Sequence, residues 1–257
     1  MLQLKNIHKY FNPGSVNEMC LFNGYDLTIK EGEFVSVVGS NGSGKTSMLN
    51  IICGSIDVDR GHVIMNGEDI TNQKEYTRLR SIGRVYQNPA KGTCPSMTIL
   101  ENMSIAANKG KRYGLGGGLN RKQKDRYGEM LRPLNLGLEN KLDTKVGALS
   151  GGQRQALSLL MSTMTPIEFL ILDEHTAALD PKTAEIIMEL TNQIVREKKL
   201  TTIMVTHNLR YAVEYGNRLI MMHQGENIID VSGTARNDIK IDEILGKFNE
   251  ISIECGN

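Results

Sequence analysis

The segment that decides the fold is Gly39-Ser40-Asn41-Gly42-Ser43-Gly44-Lys45-Thr46, which fits the spacing GxxxxGK[ST]. An apolar strand, Phe34 to Val38, leads into it, and a helical segment, Lys45 to Cys53, follows it. Small residues let backbone N–H groups point inward at phosphate oxygens, and the start of a helix adds partial positive charge. The segment therefore predicts a phosphate-binding loop, with Lys45 on the β and γ phosphates and the Thr46 hydroxyl on Mg²⁺.

Working outward from this loop, apolar runs and turn residues predict the other elements of an α/β fold. Leu2, Leu4 and Ile7 roughly alternate with polar neighbours and predict an early strand, and Gly54 is expected to cap the first helix. The remaining predictions are strands at 25–29, 169–172 and 201–206, a hairpin at 219–231, and a mainly helical insert from 88 to about 165 that contains the Gly-rich loop Gly114 to Gly118. A helix is expected from Asp180-Pro181, and its apolar positions at helical spacing are Ile186, Ile187, Leu190 and Ile194. A short amphipathic helix is expected at 238–250, with the apolar positions Ile241, Ile244, Leu245 and Phe248.

The composition is that of a globular protein, with 257 residues, 40% apolar and 23% charged. The 30 basic and 29 acidic residues nearly balance, so charge does not favour a nucleic-acid partner, and we expect none. No stretch approaches ~20 uninterrupted apolar residues, and the N-terminus does not resemble a secretory signal. If the protein serves a membrane process, we therefore expect it to do so through a partner protein. The cysteines, Cys20, Cys53, Cys94 and Cys255, are widely spaced, which favours reduced thiols over a disulfide framework or a zinc site.

Two carboxylates end the apolar strand Phe169 to Leu172. Asp173 is placed to hold the shell of Mg²⁺, and Glu174 could accept a proton from the attacking water. Without a phosphate loop in the chain, a pair of surface carboxylates would be the simpler interpretation. His207 follows the predicted strand that ends at Thr206, and Gln87 follows Gly83-Arg84-Val85-Tyr86. Taken alone, neither residue indicates a function.

The pentapeptide Leu149-Ser150-Gly151-Gly152-Gln153 predicts a second anion site. Ser150 is suited to cap the helix that follows, and the two glycines expose N–H groups in front of the helix dipole. One active site needs only one such helix start. The second therefore indicates that this chain contacts the nucleotide of a partner.

Together these segments resemble the ABC (ATP-binding cassette) ATPase family, from about residue 2 to 231. The resemblance implies a phosphate-loop NTPase core with a mostly parallel sheet, an N-terminal antiparallel β-subdomain and a helical insert. It implies one nucleotide-binding domain over 1–257. Within it we expect the core and β-subdomain at 1–87 and 166–235, the helical signature subdomain at 88–165, and a C-terminal helix and tail at 236–257.

The resemblance also implies a role for each matching residue. Gly39 to Thr46 resembles the Walker A loop, and Phe169 to Asp173 the Walker B strand, with Glu174 as catalytic base. Gln87 matches the Q-loop glutamine, which reaches the magnesium and the attacking water, and His207 matches the switch histidine. Leu149 to Gln153 resembles the signature motif, which touches the γ-phosphate bound by the opposite subunit. Ala178-Leu179-Asp180 resembles the D-loop at the dimer seam.

Two positions leave alternatives open. An aromatic residue near Lys9 stacks on adenine in this family, and Phe11 is our choice, with Tyr10 as the fallback and core packing as the competing interpretation. His175 stands where many members of the family have proline. A tolerated loop substitution explains it most simply, and a role close to the phosphates is the competing hypothesis.

The family resemblance implies an ATPase that binds ATP and Mg²⁺ and closes as two copies over two nucleotides. A cassette without membrane spans is similar to the separate subunits of bacterial importers. We therefore expect it on the cytoplasmic face of the membrane, bound to a permease that works with an extracytoplasmic solute-binding protein. The segments 87–103 and 173–180 resemble importers for small solutes such as amino acids, of the tryptophan and tyrosine type.

Two other functions compete with transport. A non-transport ABC ATPase acting in translation or DNA repair usually carries two cassettes or long coiled coils, and this sequence has neither, nor a long basic run. A simple phosphate-loop kinase would leave Leu149 to Gln153 without a purpose.

Overall fold

A computed structural model describes residues 1–111, 121–233, 235–236 and 241–254. The predicted Gly-rich loop at Gly114 to Gly118, the side chain of Phe248 and Cys255 fall outside this part of the chain. The strands, in chain order, are β1 (Leu2–Phe11), β2 (Met19–Ile29), β3 (Phe34–Gly39), β4 (Arg60–Met65), β5 (Glu68–Asp69), β6 (Ile82–Val85), β7 (Phe169–Asp173), β8 (Thr201–Val205), β9 (Arg218–His223) and β10 (Glu226–Ser232). The helices are α1 (Lys45–Cys53), α2 (Glu75–Arg78), α3 (Ile99–Ala107), α4 (Lys124–Leu131), α5 (Gly151–Ser162), α6 (Pro181–Lys198), α7 (Leu209–Glu214) and α8 (Ile241–Glu254).

The chain divides into two compact units, residues 1–79 with 199–257, and residues 80–198. The first unit holds an antiparallel sheet of order β2-β1-β4-β5. It also holds strands in the order β10-β9-β3-β8, of which β9, β3 and β8 are parallel. The second unit contains the parallel pair β6 and β7 with helices α3 to α6. The predicted combination of a mostly parallel core, an N-terminal antiparallel sheet and helical segments is confirmed.

The buried parallel strands follow from their sequence. Every residue of β3 and β8 is buried, as expected for strands covered on both faces. The predicted cap of α1 is confirmed, because Gly54 has a φ of 81° and its N–H donates to carbonyls of the last turn. Ile7 is fully buried although it breaks the alternation with Leu2 and Leu4, because a register shift lies between Leu4 and Ile7.

Two apolar patterns were predicted less accurately. On α6, Ile187 and Ile194 are buried, but Ile186 is 40% exposed, because consecutive residues on a helix point about 100° apart. On α8, Ile244 packs into a cluster with Leu219 and Met221, while Ile241 and Leu245 are at the surface.

Two further features concern thiols and membranes. Cys20, Cys53 and Cys94 are free thiols. Among the helices that the structure describes, none combines the length and the apolar character needed to cross a bilayer.

Candidate functional site

The phosphate loop lies between β3 and α1 in the first unit. Gly44 occupies the position before α1 in a left-handed conformation, and no side chain caps the helix. The first turn also lacks acidic residues, so the amide N–H groups there have no negative side chain as competitor. Thr46 lies exposed in this first turn. This arrangement can accept an anion with several negatively charged oxygens.

Lys45 is folded onto its own loop. Its ammonium Nζ donates to the carbonyl oxygens of Gly39 at 2.8 Å and Ser40 at 2.7 Å, and to Ser43 Oγ at 3.3 Å. The residue is only 5% exposed. Its charge is therefore held at the centre of the loop, close to where the amide groups of the helix start converge.

The register of β3 and β8 places His207 at the same sheet edge as this loop. Val37 is paired with Val205 in a parallel ladder. Gly39 lies two residues after Val37, and His207 lies two residues after Val205. The carboxyl ends of parallel strands meet at one edge, which is where ligands bind in open α/β sheets. His207 is exposed there.

The end of β1 lies next to the strand that supports the loop. Lys9 is paired with Phe22, whose ring underlies Gly44: a Cβ on that glycine would lie 3.1 Å from the ring. Phe11, two residues beyond Lys9, is partly buried, with the Lys9 ammonium 5.7 Å from its ring centre. Tyr10 is also partly buried. The choice between these two aromatic residues as the adenine contact stays a prediction.

In the second unit, the carboxylate of Asp173 is paired with Arg84. Arg84 Nη2 donates to Asp173 Oδ2 at 2.8 Å, and the two side chains are 7% and 14% exposed. The Arg84 guanidinium also stacks over the Tyr86 ring at 4.7 Å. Sequence reasoning missed Arg84. Its signal was a charged residue inside an apolar strand, which needs a partner when it is buried.

Glu174 and Gln87 lie at the same edge of the β6 and β7 pair. Val85 is paired with Leu172 in parallel register, and Gln87 and Glu174 each follow two residues later. Glu174 has a φ of 49°, which is uncommon for a residue with a side chain. Gln155 of α5, another residue that sequence reasoning missed, donates through Nε2 to the carbonyl of Tyr86 at 3.1 Å, beside Gln87.

The predicted cap of α5 by Ser150 is confirmed. Its hydroxyl accepts from the Gln153 N–H at 3.2 Å, and the Gln153 side chain accepts from the Ser150 N–H at 3.2 Å. This reciprocal arrangement is a capping box. Ser150 and Gly151 are exposed, whereas Leu149 and Gly152 are buried. The turn is anchored by its buried residues and presents its helix start to the surface.

The signature segment touches the start of α6. A Cβ on Gly152 would overlap the methyl group of Thr183, and one on Gly151 would lie 3.4 Å from Leu179. Asp180 caps α6, with its Oδ1 accepting from the Thr183 N–H at 3.0 Å. Hydrogen bonds from the Thr183 side chain and backbone lower the pKa of the Asp180 carboxyl. The segments 150–153 and 179–183 therefore form one packed group.

His175 is buried, with 2% of its surface exposed. Burial lowers the pKa of its imidazole to about 4, so the ring is neutral near pH 7. Its Nε2 lies 3.1 Å from Thr191 Oγ1 on α6. His175 is thus packed against α6, and a role for it close to the phosphates stays a hypothesis.

The candidate residues thus fall into two groups. The first unit carries the phosphate loop 39–46 with Phe11 and His207, and the second carries Gln87, the segments 149–153 and 178–180, Asp173 and Glu174. Within each unit, the candidates that follow paired strands share one edge of the sheet. The individual roles of these residues stay predictions.

Comparison with known proteins gives a consistent set of relatives. The sequence profile of the ABC transporter family matches residues 22–177. The chain is 50% identical over 250 residues to a tyrosine transport ATP-binding protein of Clostridioides difficile, covering 96% of this chain and 98% of that protein. It is 31% identical over 228 residues to a thiamine import ATP-binding protein of Photobacterium profundum, covering 88% of this chain and 90% of that protein.

Solved structures agree with these relatives. A dimeric ATP-binding cassette in a post-hydrolysis state, bound to ADP and phosphate, superposes with a TM-score of 0.76 at 31% identity, over 90% of this chain and 98% of that one. A transporter cassette in its ADP conformation gives a TM-score of 0.80 at 26% identity, over 100% and 99% of the two chains.

Proposed function

The chain belongs to the ABC transporter family of ATP-binding proteins, and from this premise we propose that it is the ATPase subunit of a membrane importer for a small solute, with tyrosine or a related aromatic amino acid as the solute. The observation that carries the proposal is the half-identical tyrosine transport relative, which the chain matches over almost its whole length. The importer resemblance of segments 87–103 and 173–180 supports it.

The residues present fit a magnesium nucleotide. Mg²⁺ prefers oxygen ligands, and Thr46, Gln87 and Asp173 offer a hydroxyl, an amide and a carboxylate oxygen. When bound, the ion would neutralise charge on the β and γ phosphates. Lys45 would bind the same phosphates, because its ammonium is already held inside the loop by oxygen atoms that a phosphate can replace.

Glu174 would act as the general base that takes a proton from the attacking water, and Gln87 and His207 would orient that water and the γ-phosphate. Phe11 would stack on adenine. Ser150 to Gln153, together with Asp180, would contact the nucleotide of a second copy, since Ser150, Gly151 and Asp180 are exposed. ATP binding would close two copies, and hydrolysis would reopen them, which is how binding energy becomes motion.

In this proposal the closing and reopening of the two copies moves a membrane permease to which they are bound. In this proposal the protein lies at the cytoplasmic face of the membrane through that permease, and an extracytoplasmic solute-binding protein delivers the amino acid. Membrane attachment would depend on the permease rather than on this chain.

Uptake of labelled tyrosine in a strain lacking this gene tests the proposal. Wild-type protein should restore uptake, and Glu174→Gln should not. Glu189→Gln is the matched control, because Glu189 is exposed on α6. Normal tyrosine and tryptophan uptake in the deletion strain would refute the aromatic solute.

The closure of two copies over two nucleotides has a separate test. Purified Glu174→Gln should be monomeric alone and dimeric by light scattering with saturating ATP and Mg²⁺. A monomer under both conditions would contradict the two-copy arrangement, whatever the solute.

A further inference from the structure

The imidazole of His175 makes a directed hydrogen bond to the middle of α6. Its Nε2 lies 3.1 Å from Thr191 Oγ1, and that hydroxyl donates to the Ile187 carbonyl oxygen at 2.7 Å. A hydroxyl has one hydrogen, and the carbonyl can only accept. Thr191 Oγ1 must therefore accept from His175, which places the ring proton on Nε2 and fixes the orientation of the imidazole.

This bond lies directly after a strained residue. Glu174 has a φ of 49°, a left-handed conformation that costs about 1–2 kcal/mol for a residue with a side chain. Such a conformation persists only where the surroundings hold it. Arg84 holds Asp173 on one side, and Thr191 holds His175 on the other. Glu174 therefore lies between two residues whose side chains are each held by a hydrogen bond.

The rest of the loop between β7 and α6 is held by two backbone turns. The Ala177 N–H donates to the Glu174 carbonyl at 2.9 Å, and the Leu179 N–H donates to the Thr176 carbonyl at 3.1 Å. These turns carry the backbone from the strand end to Asp180. His175 therefore ties the start of the loop to the helix that begins at its end.

We propose that the hydrogen bond from His175 to Thr191 positions the carboxylate of Glu174 for proton abstraction. His175 and Thr191 are positioning residues in this proposal, since both are buried and they act through Glu174. The inference rests on the role proposed above for Glu174 as general base. An apolar residue could fill the same volume, but it would not fix the rotation of the loop about the anchor.

The test replaces Thr191, which is remote in sequence from the loop. Thr191→Val keeps the shape and removes the acceptor, whereas Thr191→Ser keeps the hydroxyl. We expect Thr191→Val to lower kcat for ATP hydrolysis by about tenfold, because small displacements of a catalytic group cost rate steeply, with KM for ATP unchanged. Thr191→Ser should stay within about twofold of the wild type.

Thr163→Val is the matched control. Thr163 is also buried in the second unit, and its hydroxyl donates to the backbone carbonyls of Leu159 and Leu160 at the end of α5. It should leave kcat unchanged. Equal losses of kcat in Thr163→Val and Thr191→Val would indicate general loosening of the unit and overturn the proposal.

A double variant separates this inference from the role of Glu174. In a Glu174→Gln background the base is already absent, so adding Thr191→Val should cause no further loss of residual hydrolysis. A full additional loss would refute positioning through Glu174. If Glu174→Gln itself hydrolysed ATP normally, the role of Glu174 would fail instead.

His175→Leu covers the case in which Thr191→Val does not fold. It removes the donor from the other side, and far-ultraviolet circular dichroism would confirm folding. Unchanged kcat in a folded His175→Leu variant would overturn the proposal.

Discussion

The Gly225 N–H donates to the Ser43 carbonyl oxygen at 3.0 Å, so the tip of the β9–β10 hairpin is tied to the phosphate loop. Gly225 has a φ of 80°, and a Cβ at this position would overlap the Leu21 carbonyl oxygen of β2. The hairpin tip thus lies between β2 and the loop, and it can approach both only because residue 225 has no side chain.

Gly225→Ala should displace the hairpin tip and with it the phosphate loop. We expect a loss of unfolding free energy of about 1–3 kcal/mol, from backbone strain and overpacking. ATP affinity should fall as well, because the loop loses its fixed shape. Denaturant unfolding and titration with a fluorescent ATP analogue measure the two effects.

Gly233→Ala is the control that distinguishes the effect of backbone strain from the effect of the contact with the phosphate loop. Gly233 also has a positive φ, of 62°, but a Cβ there would meet nothing within 4 Å. It should lose some stability and keep its ATP affinity. An equal loss of affinity in both variants would show that the contact with the loop is unimportant.

The features that sequence predicted well are local. The phosphate loop, the buried strand β3 and the capping box at Ser150 each depend on residues within a short segment. The features that could not be predicted from the sequence are contacts between distant positions, such as Arg84 with Asp173 and His175 with Thr191. Neither pairing leaves a periodic signal, because a buried polar side chain needs only one partner anywhere in the fold.

The bulge in β1 shows the same limit at the backbone level. Asn6 has a φ of 50°, and Gly61 of β4 approaches it so closely that a Cβ on the glycine would overlap the Asn6 carbonyl oxygen. The glycine and the bulge are 55 residues apart in sequence, at positions 61 and 6. Alternation alone therefore could not place Ile7 on the buried face.

Lys45→Ala should abolish measurable ATP binding or weaken it by at least about tenfold, because a charge-assisted contact with phosphate is lost. The nucleotide-free loop also loses three hydrogen bonds, to Gly39, Ser40 and Ser43. Calorimetric titration with ATP measures the affinity, and thermal unfolding without nucleotide measures the effect on the loop.

Lys30→Ala is the control for the loss of a positive charge, because Lys30 is exposed at the end of β2 in the same unit. It should leave the ATP affinity unchanged. An unchanged Kd in Lys45→Ala would contradict the assignment of the loop as the phosphate site.

Gly152→Ala should destabilise the packing of α5 against α6, since the new methyl group overlaps that of Thr183. The loss should be about 1–3 kcal/mol, typical of overpacking. Thr183→Ser removes the opposing methyl group and keeps the hydroxyl next to Asp180. The double variant should therefore recover most of the stability, as measured by denaturant unfolding. Additive losses in the double variant would exclude this contact as the cause.

Ser150→Arg should block ATP turnover and leave nucleotide binding by the monomer intact. Ser150 is exposed at the start of α5, where a large cationic side chain would fill the space that a partner's phosphate needs. The variant also loses a helix cap worth about 1 kcal/mol. Steady-state hydrolysis, compared with ATP titration of the dilute monomer, separates the two steps.

Ser150→Asn tests the steric explanation, because asparagine also caps helices but adds much less volume than arginine. It should keep the thermal stability of the wild type and retain more turnover than Ser150→Arg. Ser150 and Gln153 cap each other, so a loss of thermal stability seen in both Ser150→Asn and Ser150→Arg would identify the lost cap as its cause. If Ser150→Arg hydrolysed ATP at the wild-type rate, the helix start at 150–153 could not be meeting a nucleotide, and the second anion site would have to be abandoned.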